Sequence, residues 1–207
     1  MKIFELIKSA PDDVLWSFAN DVHTMILELY FEKYWDSESM NFEMSGDGLE
    51  DRVNAHDPKS VLDVGCGFNY WKGKIQNLTG IDPYNNAADI KVGIVEYAEK
   101  YPEAQHDAVL VLGSVNFGDM GKIHHEMMAI DKITAPGGRQ YWRANPGLTD
   151  HPCDKFPLNS LIDFFPWDEK IVHEIAKVYG YEVEDYAVEK NKINGRERLY
   201  FVYRKSL

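Results

Sequence analysis

The feature that most constrains the fold of this 207-residue chain is a buried strand that runs directly into a pair of glycines. The segment reads Val61-Leu62-Asp63-Val64-Gly65-Cys66-Gly67. Its apolar residues predict a strand inside a sheet, and the glycines allow a tight turn in which the backbone comes close to a ligand. Ligands of open α/β sheets bind at the carboxyl ends of the strands, so the sequence predicts a binding site at this turn.

Strand and helix patterns alternate along the rest of the chain. Apolar runs predict strands over 60–64, 78–81, 89–92, 108–112, 139–143, 181–188 and 198–204. Helices are predicted over 12–36, 94–101, 122–134 and 168–179, and at best a short helix over 70–77. The last two strands are joined through Asn194-Gly195, a hairpin-type turn. Alternation of this kind is typical of a parallel sheet, and we predict a helical leader over 1–57 before a main domain over 58–207.

An acidic residue ends the second predicted strand. Asp82 follows Asp63 by 19 positions, and a carboxylate there can accept hydrogen bonds from both hydroxyls of a ribose. Nicotinamide and flavin enzymes share this geometry with a G-x-G-x-x-G motif. In that frame the chain has Gly65, Gly67 and Tyr70, so the third glycine is missing.

The run from Asp63 to Asn69 resembles motif I of class I S-adenosylmethionine-dependent methyltransferases, an acid followed by hydrophobe-G-x-G-x-G. Asn69 stands at the third glycine, and asparagine is among the few other residues that readily take positive φ. The resemblance covers roughly residues 58–204. It implies an α/β fold with a Rossmann-like, mostly parallel seven-stranded sheet, an antiparallel C-terminal hairpin, helices on both faces and an N-terminal helical lid.

This resemblance implies S-adenosyl-L-methionine as the cofactor. Asp63 to Gly67 correspond to the loop that faces the methionine part, and Asp82 corresponds to the ribose-binding acid. The stretch 93–96 falls where the family encloses the adenine, and the strand 106–112 resembles motif IV, beside the methyl group. Cys66 is expected to be a small filler and not a nucleophile. The residues implied to bind the cofactor are Asp63, Gly65, Cys66, Gly67, Asn69, Asp82, Pro83, Ile94, Val95, Gly113 and Ser114.

Methyl transfer is an in-line displacement in which the protein mainly positions the reactants, so no fixed catalytic triad is expected. The candidate catalytic residues are Asn116, after the predicted strand 108–112, and His151, a base candidate in the connection after the predicted strand 139–143. The histidines at positions 23, 124 and 125 are weaker candidates, because surface or packing roles are more common for such residues.

Four residues are candidates for contact with the methyl acceptor. Tyr30 and Tyr34 lie one turn apart on the leader helix, and Phe117 follows the fourth family strand. Arg143 presents a bidentate fork that suits a carboxylate or phosphate. Each has a structural alternative, namely aromatic packing for the three rings and a surface ion pair for the arginine.

The charge of the chain bears on its partners. It carries 22 basic and 34 acidic residues, for a formal net charge of −12. Nucleic-acid binding depends on neutralised phosphates, so no nucleic-acid partner is expected. The segment 113–118 also lacks the Asn/Asp-Pro-Pro-Tyr/Phe signature of amino-methylating nucleic-acid enzymes. We therefore expect a small molecule or a protein side chain as the substrate.

Cysteine usage and hydropathy indicate the compartment. Cys66 and Cys153 form no CxxC or CxxH pattern, so no metal site is expected. The first residues, MKIFELIKSAPDDV, carry acids where a signal peptide needs an apolar core. No apolar run approaches the roughly 20 residues of a membrane helix. We expect a cytoplasmic protein without a membrane partner.

Three functions from different classes are compatible with the sequence. The leading one is an S-adenosylmethionine-dependent methyltransferase. The second is a module that binds the same cofactor and has lost catalysis. The third is an NAD-dependent oxidoreductase, which the missing third glycine and the acid before the loop disfavour. The sequence leaves open the acceptor, its reacting atom and the oligomeric state.

Overall fold

The computed structural model describes residues 10–35, 48–146, 156–190 and 197–207. These residues form one six-stranded sheet in the order β2-β1-β3-β4-β6-β5. The strands are β1 (Val61–Val64), β2 (Leu78–Ile81), β3 (His106–Leu112), β4 (Thr134–Ala144), β5 (Tyr181–Lys190) and β6 (Glu197–Lys205). The helices are α1 (Asp12–Lys33), α2 (Leu49–Asn54), α3 (Ile94–Lys100), α4 (Met120–Ile133) and α5 (Glu169–Tyr179), with a 3-10 turn at Asn159–Leu161.

The sheet is mixed, as the sequence predicts. Strands β2, β1, β3 and β4 run parallel to one another, whereas β6 pairs antiparallel with β4 and β5. All four residues of β1 are buried, which explains why Asp63 is its only polar residue. The carboxyl ends of β1, β2 and β3 therefore meet at one edge. The turn predicted between β5 and β6 lies outside the described residues.

The strand expected over 89–92 is reduced to a single bridge between Ile81 and Ile90, so the described residues form six strands where seven were expected. The carboxylate of Asp89 explains the difference. Its Oδ2 accepts the backbone N–H of Gly80 at 2.8 Å and the Lys72 ammonium at 2.8 Å. A side chain thus takes a donor of β2 that a further strand would otherwise pair with.

The segment over 70–77 forms turns and no helix. Gly73 has a φ of 80°, a left-handed conformation that a helix does not allow. Trp71 and Ile75 are nevertheless buried, and they pack with Leu49 and Val53 of α2 against one face of the sheet. Part of the predicted leader thus contributes to the packing of the main sheet.

The larger core lies on the opposite face, where α3, α4 and α5 pack against β1, β3, β4 and β6. Helix α5 follows the predicted signals closely. Asp168 caps its first turn by accepting from the N–H of Ile171 at 2.7 Å, and Gly180 ends it with a φ of 69°.

Helix α1 packs into a third, aromatic cluster with Phe117, Phe156, Ile162 and Phe164. His23 fastens it there, because its Nε2 accepts the backbone N–H of Asp163 at 3.0 Å. Burial lowers the pKa of this histidine. Within the described residues, no helix has both the length and the hydropathy to cross a membrane.

Candidate functional site

A cavity of about 410 Å³ opens at the carboxyl ends of β1, β2 and β3. The residues that line it include eight of the predicted site residues, namely Gly65, Asp82, Pro83, Ile94, Gly113, Ser114, Phe117 and Arg143. Its size falls within the range of small-molecule sites, roughly 300–1,000 Å³. The sequence motif and the cavity therefore coincide.

Gly65 begins the glycine loop and brings its backbone against the loop after β3. Its φ is 67°, and a Cβ at this position would collide with the Cβ of Ser114. Its N–H donates to the carbonyl of Ile81 at 2.8 Å, which fixes the start of the turn. The hydroxyl of Ser114 is buried and has no hydrogen-bond partner among the described residues. The two loops are therefore in close contact, and the Ser114 hydroxyl beside this contact has no partner among the described residues.

Asp82 holds the loops on both sides of the cavity. Its Oδ2 accepts the N–H of Gly67 at 3.0 Å, and its Oδ1 accepts those of Tyr84 and Asn85, each at 2.8 Å. The residue is only 8% exposed, yet it borders the cavity. A carboxylate has about four lone-pair positions, so a further donor can still be accommodated.

Asp63 lies beneath the cavity and not in its lining. The residue belongs to β1 and is almost fully buried. Burial, reinforced by the nearby charge of Asp82, raises the pKa of Asp63 to about 7. Its negative charge is therefore costly in the folded protein at neutral pH.

Cys66 and Asn69 stabilise the glycine loop from behind. The Cys66 sulfur lies against Gly80, and burial together with the charges of Asp63, Asp82 and Asp89 raises the pKa of its thiol. Such a thiol is a poor nucleophile. Asn69 has a φ of 60°, the left-handed conformation expected at the third glycine position, and its amide donates to the carbonyl of Ala87 at 3.1 Å.

The segment 92–94, at the end of the stretch that was expected to form a strand, also borders the cavity. Val92, Gly93 and Ile94 line it, whereas Val95 is half-buried and packs against the main core. Pro83 lines the cavity from the β2 side. Gly67 contributes less directly, because the indole of Trp35 lies over it.

Asn116, predicted as catalytic, is completely buried and does not border the cavity. Its amide donates to the carbonyl of Gly113 at 3.0 Å, and its Oδ1 accepts the N–H of Asn145 at 3.1 Å. The side chain therefore ties the loop after β3 to the end of β4. This geometry indicates a positioning role in place of the predicted contact with the reacting atoms.

Tyr30 and Tyr34, predicted to contact the acceptor, do not line the cavity. Both rings pack against Phe156, with centroid distances of 5.5 Å and 4.8 Å. Leu27 and Phe31 of α1 border the cavity instead, together with Trp35 just beyond the end of the helix. These residues follow one another at intervals of four, so they form a different face from that of Tyr30 and Tyr34.

Arg143, predicted to contact the acceptor, lines the cavity. Its Nη2 donates to the carbonyl of Leu112 at 3.0 Å, and the guanidinium lies against Gly113.

His151 lies outside the described residues. His124 and His125 are exposed, and the Nδ1 of His124 lies 3.1 Å from the hydroxyl of Tyr179, away from the cavity.

Two charged residues of α4 line the cavity and were not predicted. Lys122 donates from Nζ to the Oε1 of Glu126 at 2.6 Å, and the Oε2 of Glu126 is buried without a partner among the described residues. Burial raises the pKa of Glu126, and the charge of Lys122 opposes that effect. The available signal was an i, i+4 pair of opposite charge on the helix that follows the predicted site loop.

Tyr84 is a further lining residue that the sequence did not single out. Its ring stacks on Phe31 at a centroid distance of 5.4 Å and an interplanar angle of 8°. The hydrogen bond from its backbone to Asp82 fixes the start of this loop. An acid followed by Pro-Tyr-Asn-Asn was the local signal for such a turn.

No protein-family model matches the sequence, and no curated protein matches it. Solved structures with 12–16% identity do share its fold. The 1,6-didemethyltoxoflavin-N1-methyltransferase of Burkholderia thailandensis, with bound 1,6-didemethyltoxoflavin and S-adenosylhomocysteine, has a TM-score of 0.67 at 16% identity, covering 96% of this chain and 93% of that one.

Two further structures agree. The N-methyltransferase NodS of Bradyrhizobium japonicum WM9, in complex with S-adenosylhomocysteine, has a TM-score of 0.61 at 15% identity, over 88% of this chain and 97% of that one. The magnesium protoporphyrin IX methyltransferase ChlM of Synechocystis PCC 6803, with bound S-adenosylmethionine, has a TM-score of 0.60 at 12% identity, over 96% and 99%. The motif, the sheet order and these similarities together show that the chain has the fold of the class I S-adenosylmethionine-dependent methyltransferases.

Proposed function

We propose that this chain is an S-adenosylmethionine-dependent methyltransferase that acts on a small molecule. The observation that carries the proposal is the cavity of about 410 Å³ at the carboxyl ends of three adjacent strands, bordered by the glycine loop, Asp82 and α1. Ligands of open α/β sheets bind at this edge. Three solved structures with the same fold hold S-adenosylmethionine or S-adenosylhomocysteine.

The residues of the cavity suit this cofactor. The unpartnered hydroxyl of Ser114 and the backbone of Gly65, which both line the cavity, would hold its amino-acid part. Asp82 would accept from the ribose, and the apolar side chains of Val92 and Ile94 would flank the base. When bound, the cofactor supplies an electrophilic methyl group carried on a sulfonium.

Helix α1 forms the lid of this proposed enzyme. Leu27, Phe31 and Trp35 border the cavity with apolar surface, and the indole of Trp35 lies over Gly67. Such a cover excludes water and holds both reactants in place. On this proposal α1, which belongs to the predicted leader over 1–57, covers the site that the predicted domain over 58–207 provides.

A small acceptor fits this arrangement better than a macromolecule. The cavity holds about 410 Å³, and the apolar side chains of Leu27, Phe31 and Trp35 form part of its wall. The net charge of −12 disfavours nucleic acid as a partner. Two of the enzymes with the same fold methylate 1,6-didemethyltoxoflavin and magnesium protoporphyrin IX, which are both small molecules.

Calorimetry with S-adenosylmethionine, S-adenosylhomocysteine and NAD tests the proposal. We expect micromolar binding of the two adenosyl ligands and no binding of NAD. Asp82→Asn should weaken adenosyl binding at least tenfold. Asp107→Asn is the matched control, because Asp107 also accepts two backbone N–H groups, from Lys59 and Ser60, but precedes the buried part of β3 at the other end of the sheet.

Binding and turnover separate the remaining alternatives. If neither adenosyl ligand binds, or if NAD binds in preference, the methyltransferase proposal is wrong. Adenosyl binding followed by a screen of small-molecule acceptors then distinguishes an enzyme from a module that binds the cofactor without transferring its methyl group. Release of S-adenosylhomocysteine with any acceptor supports the enzyme.

A further inference from the structure

Glu126 brings an unused carboxylate oxygen to the wall of the cavity. Its Oε1 accepts from Lys122 at 2.6 Å, whereas Oε2 is shielded from water and has no donor among the described residues. The side chain as a whole is only 16% exposed. A buried carboxylate oxygen without a donor is costly, so a ligand that supplies an N–H group there gains a strong hydrogen bond.

Acidic side chains act on Tyr84, another residue of the cavity wall. The pKa of Tyr84 is raised to about 12, first by burial and then by the charges of Glu28, Asp82, Glu126 and Glu32. Among the residues that line the cavity, three acidic side chains (Glu32, Asp82 and Glu126) outnumber the two basic ones (Lys122 and Arg143), and Lys122 already donates to Oε1 of Glu126. This part of the cavity therefore favours a cationic or N–H-bearing group over an anion.

Aromatic rings give the same region flat apolar surfaces. Phe31 and Tyr84 stack at 5.4 Å, and Phe117 meets the edge of Phe31 at 5.4 Å with an interplanar angle of 84°. All three residues border the cavity. A planar molecule can contact these rings while it directs a polar edge towards α4.

We propose that the methyl acceptor is a planar molecule that presents an N–H group to Glu126, and that Glu126 receives the proton of this group. This inference rests on the proposed function. The acceptor nitrogen forms a bond to the methyl carbon, the carbon–sulfur bond breaks with its electron pair going to sulfur, and the proton passes from nitrogen to Oε2 of Glu126. Burial raises the pKa of this carboxyl, against the effects of Lys122 and His125, which makes it a better proton acceptor.

Three planar probes of one size test the recognition step. Benzamidine is a cation with N–H donors, benzamide is neutral with N–H donors, and benzoate is an anion without them. Protein saturated with S-adenosylhomocysteine is titrated with each probe by NMR. We expect benzamidine to bind at least tenfold more tightly than benzoate, with benzamide between them. In Glu126→Gln the preference should fall below about threefold, since the charge is lost while the shape is kept.

Control variants distinguish recognition from damage to the fold. Glu99→Gln makes the same change at an exposed position of α3 and should keep the preference. Lys122→Met removes the cation beside Oε1 and should increase it. Glu99→Gln should also bind S-adenosylhomocysteine within twofold of the wild type, and Glu126→Gln and Lys122→Met are compared at saturating S-adenosylhomocysteine.

The outcomes separate this inference from the function on which it rests. If the wild type does not bind S-adenosylhomocysteine, the proposed function is wrong and the inference falls with it. If the wild type binds it but prefers benzoate, shows no preference, or binds no probe at millimolar concentration, the inference alone is overturned. The same holds if Glu126→Gln keeps the full preference for benzamidine.

Discussion

The backbone N–H of Gly67 donates to the Oδ2 of Asp82 at 3.0 Å, and this bond joins the loop after β1 to the loop after β2. The other carboxylate oxygen accepts from Tyr84 and Asn85. One side chain therefore fixes both the glycine loop and the start of the aromatic wall. Hydrogen bonds to a carboxylate are stronger than neutral ones, so the cavity is held open by a residue that also borders it.

The close approach at Gly65 predicts a specific cost for adding a methyl group. Gly65→Ala must adopt a left-handed φ of 67° and also displaces Ser114, so we expect a loss of about 3 kcal/mol in the free energy of unfolding. Gly73→Ala is the matched control, because its φ is 80° but nothing lies within 4 Å of the added Cβ. It should lose about 1 kcal/mol. Equal losses in urea denaturation would contradict the packing of Gly65 on Ser114.

The buried amide of Asn116 predicts a mainly structural effect. Asn116→Ala removes hydrogen bonds to Gly113 and Asn145, and we expect the free energy of unfolding to fall by about 2–4 kcal/mol. Gln76→Ala, at an exposed side chain, should change it by less than about 0.5 kcal/mol. Should Asn116→Ala abolish turnover with unchanged stability and unchanged S-adenosylhomocysteine binding, Asn116 would be catalytic after all.

The strands adjoining the glycine loop were predictable because two local signals agree there. Apolar residues buried on both faces identify β1 and β3, and the acid at 82 marks the end of β2. The strand over 89–92 failed because a long-range contact overrides its pattern: Asp89 accepts the N–H of Gly80 that a neighbouring strand needs. The short helix predicted over 70–77 does not form because Gly73 takes a positive φ, a conformation that the sequence permits but does not specify.

The site was predictable to the extent that backbone motifs define it. Gly65, Asp82 and Ser114 were found because a loop sequence fixes where they lie. The cavity-facing side of α1 was not predictable, because apolar residues occur on two faces of this helix and only packing against Phe156 shows that Tyr30 and Tyr34 turn away from the cavity. Glu126 was missed because a charged residue on a helix ordinarily indicates a solvated face.

Burial of Asp63 predicts a pH dependence of stability. Its folded pKa of about 7 lies above the unfolded value of about 3.9. The folded state thus binds more protons between these values, and this contribution to stability falls as pH rises from about 4 to about 7. The free energy of unfolding of Asp63→Asn, relative to that of the wild type, should rise by up to about 1.4 kcal/mol per pH unit in that window. Above the window this difference should stay constant. Urea denaturation from pH 5 to 8 measures the difference, and a flat difference would show that Asp63 is ionised throughout.

The proposed lid predicts an effect on ligand release. Phe31→Ala removes the ring that stacks on Tyr84 and meets Phe117, so S-adenosylhomocysteine should dissociate about tenfold faster in stopped-flow displacement. Phe18→Ala changes the same residue type on the same helix at a position 47% exposed, and its rate should match the wild type. If both variants release the ligand at the wild-type rate, α1 does not act as a lid.

The central claim is that the cavity between the glycine loop and α1 holds the adenosyl cofactor. Amide NMR spectra of ¹⁵N-labelled protein titrated with S-adenosylhomocysteine test it most directly, because glycine signals occupy their own spectral region. We predict large shifts for Gly65, Gly93 and Gly113, which line the cavity, and none for Gly137 and Gly180, which lie away from it. A spectrum that does not change, or shifts confined to Gly137 and Gly180, would contradict the account.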